Sequence, residues 1–182
     1  LIIANKEENT REDVERLSQK YPVWVSDVAT LPDALGMIRS IGAITGKRML
    51  AEDIAAKIDT SFTALKVERQ TRTIYLIWRK PYMAAGNDTF INDMLARCGF
   101  ENVVDIERYP ELSEADLIHL DPELILFSSE PYPFKEQHME QLQKLLPHTH
   151  MQLVNGEPFS WYGSRLLESA NYFKKLKAVL NL

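Results

Sequence analysis

Short apolar runs alternate with amphipathic stretches along the chain, which is how strands and helices in alternation read in a sequence. Leu1–Ala4 is followed by an acidic loop, a helical stretch ending at Tyr21-Pro22, and the run Val23–Val25. The order recurs later: Leu124–Phe127, the loop from Ser128 to Pro133, a helical stretch through Met139, Leu142 and Leu145-Leu146-Pro147, and then Met151–Val154. Val14 and Leu17 of the first copy fall where Met139 and Leu142 fall in the second, and both helical stretches stop just before a proline. Two equivalent β-α-β units are expected, one in each of two lobes. Leu1 opens the chain directly inside an apolar run, so it reads as a fragment whose first lobe is incomplete.

Between the copies, residues 31–67 are helical in pattern, with Leu50, Ile54, Ile58, Phe62 and Leu65 spaced along one face and Gly42 and Gly46 punctuating the first part. An unbroken helix from Lys47 to Val67 would span roughly 30 Å, enough to strap two lobes together, though an ordinary crossover helix fits the same pattern. A further α/β unit follows: the strand Thr73–Trp78, a loop from Arg79 to Asp88, a helix from Thr89 to Gly99 and a short segment from Asn102 to Ile106. Asp88 suits an N-cap, Gly99 a C-cap, and Ser113 with Asp116 a capping box. A terminal helix is expected over residues 164–180. The fold class is α/β with mostly parallel sheets, whose ligands bind beyond the carboxyl ends of the strands.

Composition narrows the partners. The 182 residues carry 21 Lys and Arg against 26 Asp and Glu, a net charge of −5, so no basic footprint for nucleic acid or an anionic membrane is present. The apolar runs are strand-sized, well short of a membrane span. The lone Cys98 forms no internal disulfide and reads as a buried structural thiol.

Nearly half of the aromatics lie in four proline-stiffened loops: Trp78–Tyr82, Tyr109–Glu111, Ser128–Phe134 and Glu157–Arg165. Such loops form a rigid apolar ligand surface, to which Arg79, Lys80 and Arg165 add positive charge. Equally, loop aromatics staple loops to one another. No nucleophile elbow, glycine-rich phosphate loop or zinc-spaced cysteine pair occurs. Two other readings stay open: a hydrolase or transferase with Glu130, Glu157 or Asp88 as its acids, and a metal-ion receptor built on His148 and His150.

Trp78-Arg-Lys-Pro-Tyr-Met83, Ala85–Ile91, Cys98–Val103, Tyr109–Ser113 and Asp121–Ile125 resemble, in order, stretches of the substrate-binding proteins of cobalamin and ferric-siderophore ABC importers. That resemblance implies two α/β lobes joined by one long rigid helix: residues 1–46 the remainder of the N-terminal lobe, 47–70 the helix and 71–182 the C-terminal lobe. It implies no catalysis and no resident cofactor. The cargo would be a bulky metal chelate, a ferric siderophore, haem or cobalamin, captured in the periplasm or by a cell-surface lipoprotein and delivered to a membrane permease. The expected ligand walls are Trp24, Trp78, Arg79, Tyr82, Tyr109, Trp161 and Arg165. Trp24 falls where cobalamin binders have a packing tryptophan, whereas Asn5 stands where they have an aromatic. Glu12 and Glu136, each in a first helical turn, are the expected permease-docking acids, with Arg11 aligning more closely than Glu12. An exposed edge at Leu1–Ala4 would favour dimerisation.

Overall fold

The computed structural model describes residues 1–67 and 69–182. The first unit is strand β1 (Ile2–Asn5), helix α1 (Arg11–Ser18) and strand β2 (Val23–Ser26), the strands parallel and paired from Ile2 opposite Val23 to Asn5 opposite Ser26. The Thr10 hydroxyl caps α1 by accepting from the Asp13 amide at 3.3 Å. This two-stranded sheet leaves Leu1, Ile3 and Val25 exposed.

Helix α2 (Leu31–Ile44) starts on a full capping box between Thr30 and Asp33, with Pro32 in its first turn. Helix α3 (Arg48–Thr63) is shorter than the pattern predicts: its 16 residues span about 24 Å, and it ends four residues before Val67. Its last turns carry Thr60, Ser61 and Thr63, whose hydroxyls bond back to the carbonyls of Ala56, Ile58 and Asp59. Such back-bonding competes with the helical ladder. The buried face is also rotated, to Ala51, Ala55, Ile58 and Phe62, and Leu50 turns outward. The reason is contact with α2. A Cβ on Gly42 would lie 2.2 Å from that of Ala51, so the two helices meet on their smallest residues.

The second sheet is built around β3 (Thr71–Trp78). Residues 79–88, expected as a loop, contain β4 (Tyr82–Ala84), antiparallel to β3. Helix α4 (Phe90–Cys98) is capped by Thr89, whose hydroxyl accepts from the Asn92 amide at 3.2 Å, and not by Asp88. Gly99 closes it at φ +84° as expected. Then come β5 (Phe100–Asn102), β6 (Glu111–Leu112), α5 (Glu114–Leu120) on the Ser113/Asp116 capping box, β7 (Leu124–Ser128), α6 (Glu136–Gln143), β8 (His150–Val154), the single turn α7 (Glu157–Ser160) and α8 (Leu166–Leu180). The sheet order is β6-β4-β3-β7-β8, with β5 beside the start of β3. Parallel pairing of β3 with β7 and of β7 with β8 confirms the second β-α-β unit.

Alternate residues of the strands feed two cores, as the period of two requires. Tyr75, Leu124, Leu126 and Val154 face one way, into a core shared with α2, α3, α4 and α8. Ile74, Leu76, Ile125 and Phe127 face the other, toward Leu117 of α5 and Leu142 of α6. Every residue of β7 is buried, the mark of a strand covered on both faces. Leu31, Ala34 and Leu35 of α2 enter the first core, and the Leu31 amide donates to Asp93 of α4 at 2.7 Å. The N-terminal segment is thereby fastened to the larger sheet.

Candidate functional site

A cleft of about 680 Å³ opens at the carboxyl ends of β1, β3 and β7, where parallel sheets place their ligands. Its floor is Tyr75 and Ile77 of β3 with Ser128 of β7. The Tyr75 ring rests 5.0 Å from that of Phe159, and its hydroxyl lies 3.2 Å from the Ser128 hydroxyl. Burial pushes the Tyr75 phenol well above its ordinary range, so it stays protonated. Phe90 and Ile91 at the start of α4 and Met37 of α2 form an apolar side wall, and Tyr162 packs edge-on to Phe90 at 5.5 Å.

Two polar flanks complete it. Asn5, Glu7 and Glu8 come from the turn after β1. Glu7 reaches across to the loop before β6, where the Arg108 guanidinium grips its carboxylate bidentately at 3.0 and 2.9 Å and the Tyr109 hydroxyl donates to it at 3.4 Å. Arg108 also sits 5.5 Å over the Tyr109 ring. The loop is held close because Gly86 donates to the Arg108 carbonyl at 2.7 Å; a Cβ there would lie 1.9 Å from the Ile106 oxygen. Burial, and then the Glu7 charge, raise the Tyr109 phenol to about 12. On the other flank, Glu130 accepts from Trp161 Nε1 at 2.8 Å and from the Ser160 hydroxyl at 3.1 Å. Gly156 makes room for it, since a Cβ would lie 2.6 Å from the Glu130 Cγ.

Of the seven expected ligand-wall residues, Tyr109 and Trp161 line this cleft. Trp24 is half-buried on β2 and does not reach it. Trp78 stacks edge-on against Tyr132 at 5.4 Å, and Tyr82 and Tyr132 pack on the opposite sheet face. Arg79 points the same way and donates to Gln141 of α6. Arg165 is tied to Glu157 and Glu168. The loop aromatics therefore divide. In Ser128–Phe134, Glu130 and Pro131 face the cleft while Tyr132 and Phe134 staple the loop to α6 through His138. Glu7 and Glu8 were findable by the rule applied to the other loops, since they follow the carboxyl end of a strand. Tyr75 was not, because a mid-strand tyrosine reads as core.

The competing chemistries are not assembled. Asp88 accepts from the Arg108 amide and Glu157 is paired with Arg165, so Glu130 is the one of the three expected acids that lines the cleft. His148 and His150 are exposed at the amino end of β8, and among the described residues no group of three or more His, Cys, Asp or Glu is placed to hold a metal ion. Glu12 and Glu136 are both exposed in first turns, but Glu12 is the second residue of α1 whereas Glu136 is the first of α6, the position Arg11 holds in α1. No helix among the described residues is long and apolar enough to cross a membrane.

No curated protein sequence matches the chain. Solved structures do. The periplasmic vitamin B12 binding protein BtuF of Vibrio cholerae aligns over 99% of this chain and 74% of its own, at 15% identity and a TM-score of 0.74. The periplasmic heme binding protein HutB of Vibrio cholerae aligns over 99% and 76%, at 20% identity and 0.76. An ABC-type Fe3+-hydroxamate transport system protein from Saccharomonospora viridis aligns over 99% and 69%, at 20% identity and 0.70. At these identities the likeness shows the fold, two α/β lobes with mostly parallel sheets. A family model described as periplasmic binding protein matches residues 1–152, and the chain belongs to that family, whose members bind solutes and are not enzymes.

Proposed function

We propose that the chain is the solute-capturing component of an ABC importer and takes a bulky metal chelate, a ferric siderophore or haem, or cobalamin, into the cleft for delivery to a membrane permease. The observation that carries this is the cleft: about 680 Å³, walled by Tyr75, Phe90, Tyr109, Trp161 and Tyr162 and floored by a rigid sheet. Its size and aromatic lining suit a large, flat or globular ligand. Structural neighbours that bind vitamin B12 and heme, and one from an Fe3+-hydroxamate transport system, support that class of cargo. The same reading places the protein in the periplasm or on the cell surface under a lipid anchor. It divides the chain into a lobe remainder (1–46), a joining segment that contains α3 (47–70) and a C-terminal lobe (71–182). Glu12 and Glu136 dock the permease, and the exposed edge at Leu1, Ile3 and Val25 pairs with a second copy. Asn5, polar at the cleft mouth, favours an iron chelate over a corrinoid.

Quenching of tryptophan fluorescence by cyanocobalamin, haem and a panel of ferric siderophores tests the reading. Saturable quenching by one class, with Kd raised about tenfold by Trp161→Ala, is expected for an aromatic anchor. Absence of quenching by every ligand overturns it.

A further inference from the structure

The cleft has acids on its walls and no matching bases. Glu7, Glu8 and Glu130 line it, whereas among the described residues no lysine, arginine or histidine does. Arg108 neutralises Glu7 from beyond the lining. Glu8 forms no ion pair among the described residues, and Glu130 accepts from the neutral donors of Trp161 and Ser160. The neighbouring cations are committed elsewhere: Lys6 to Asp27 and Arg165 to Glu157 and Glu168, while Arg79 lies across the sheet on α6. Two carboxylates, Glu8 exposed at the mouth and Glu130 half-buried, therefore face the cleft without a counter-charge. The phenols in the cleft register them: after burial, the charges of Glu7, Glu8 and Asp27 raise the Tyr162 pKa further, and the charge of Glu130 adds to the rise at Tyr75.

An anionic cargo entering here would lose water and gain no counter-charge, which is the costly way to bury a charge. A neutral or cationic cargo keeps the aromatic contacts without that cost. Resting on the solute-capture reading, we infer that the cleft selects chelates of neutral or positive net charge and rejects those bearing free carboxylates or other net negative charge. The unpaired acids Glu8 and Glu130 determine that specificity.

The test uses three ferric trihydroxamates that differ only at one terminus: a free amine (net charge +1), its acetyl derivative (0) and its succinyl derivative (−1). Cyanocobalamin, which is neutral, and haem, which carries two carboxylates, are assayed beside them by the same tryptophan quenching. The expected order is amine, then acetyl, then succinyl, with about tenfold or more in Kd between the first and last at low salt. That ratio shrinks in 1 M NaCl as screening shortens the reach of the charges. In Glu8→Gln/Glu130→Gln it falls to about two- to threefold, since glutamine keeps the acceptor for Trp161 and loses the charge. A succinyl derivative that binds as tightly as the amine, or a ratio unchanged in the double variant, overturns the inference while leaving solute capture intact. If none of the trihydroxamates quenches, cyanocobalamin binding over haem upholds the charge rule and haem over cyanocobalamin refutes it. Silence from all five removes solute capture itself, and with it the charge rule.

Discussion

The Glu7 to Arg108 bridge ties the first β-α-β unit to the larger sheet across the mouth of the cleft, and its strength is measurable. The perturbation is a double-mutant cycle: Glu7→Gln, Arg108→Met and the pair. At a charge separation of about 4 Å the Coulomb energy is about 1 kcal/mol in water and about 4 kcal/mol at an effective dielectric of 20. Exposed pairs deliver about 0.2–1 kcal/mol after desolvation and side-chain ordering. This pair is bidentate, with the Glu7 side chain 22% exposed and that of Arg108 46%, so it belongs near the upper end, at about 1 kcal/mol of coupling. The assay is urea unfolding of the four proteins, with coupling read from the non-additivity of their stabilities. In 1 M NaCl the Debye length drops to about 3 Å, and the coupling should fall by about half. Coupling within about 0.3 kcal/mol of zero at low salt, or coupling indifferent to salt, would refute the claim that an ion pair closes this flank.

Four further outcomes are expected. Phe159→Ala, which removes a fully buried ring touching Tyr75 and Phe173, should cost about 3–5 kcal/mol in urea unfolding, and a loss under about 1 kcal/mol would show the site collapses freely. Gly42→Val should cost about 1–3 kcal/mol or more by prising α2 from α3, read as a lowered Tm. Cys98 is 1% exposed and its thiol is pushed up by burial, so a disulfide reagent should react in urea and not in the native protein; rapid native reaction would contradict the packing. The Tyr109 phenol lies at about 12 when folded against 10.0 for the free group, so the unfolded chain loses its proton first. Its contribution is fully present below about pH 10 and is lost as pH rises toward about 12, so stability should decline across that window and Tyr109→Phe should flatten part of the decline.

What was legible in the sequence, and what was not, separates by the range of the forces involved. Strand β7 announces itself because a parallel strand buried on both faces must be apolar throughout, and β1, β2, β3 and β8 each carry a strand-sized apolar run. The caps at Gly99 and Ser113 are equally local, since one residue's φ or hydroxyl decides them. The errors come where a partner decides. Helix α3 turns Leu50 out and Ala51 in because Gly42 admits only a small neighbour, a fact about α2 that no periodicity in α3 contains. Asp88 yields its cap to Thr89 because the Arg108 amide, 20 residues on, claims its carboxylate.

The cleft shows the same division within one loop. Proline and aromatics mark Ser128–Phe134 as rigid and exposed, but the loop crosses the end of the sheet between Pro131 and Tyr132, so Glu130 meets Trp161 while Tyr132 meets Trp78. Composition identifies the loop; the point at which it crosses the sheet end decides which of its residues face the cleft. The charges follow suit. Arg79 and Arg165 read as ligand partners because both are cations beside aromatics, yet each finds a nearer partner, Gln141 for one and Glu157 for the other. What remains facing the cavity is acidic, the reverse of the expectation, and the proposed selection of bulky chelates by net charge rests on that reversal.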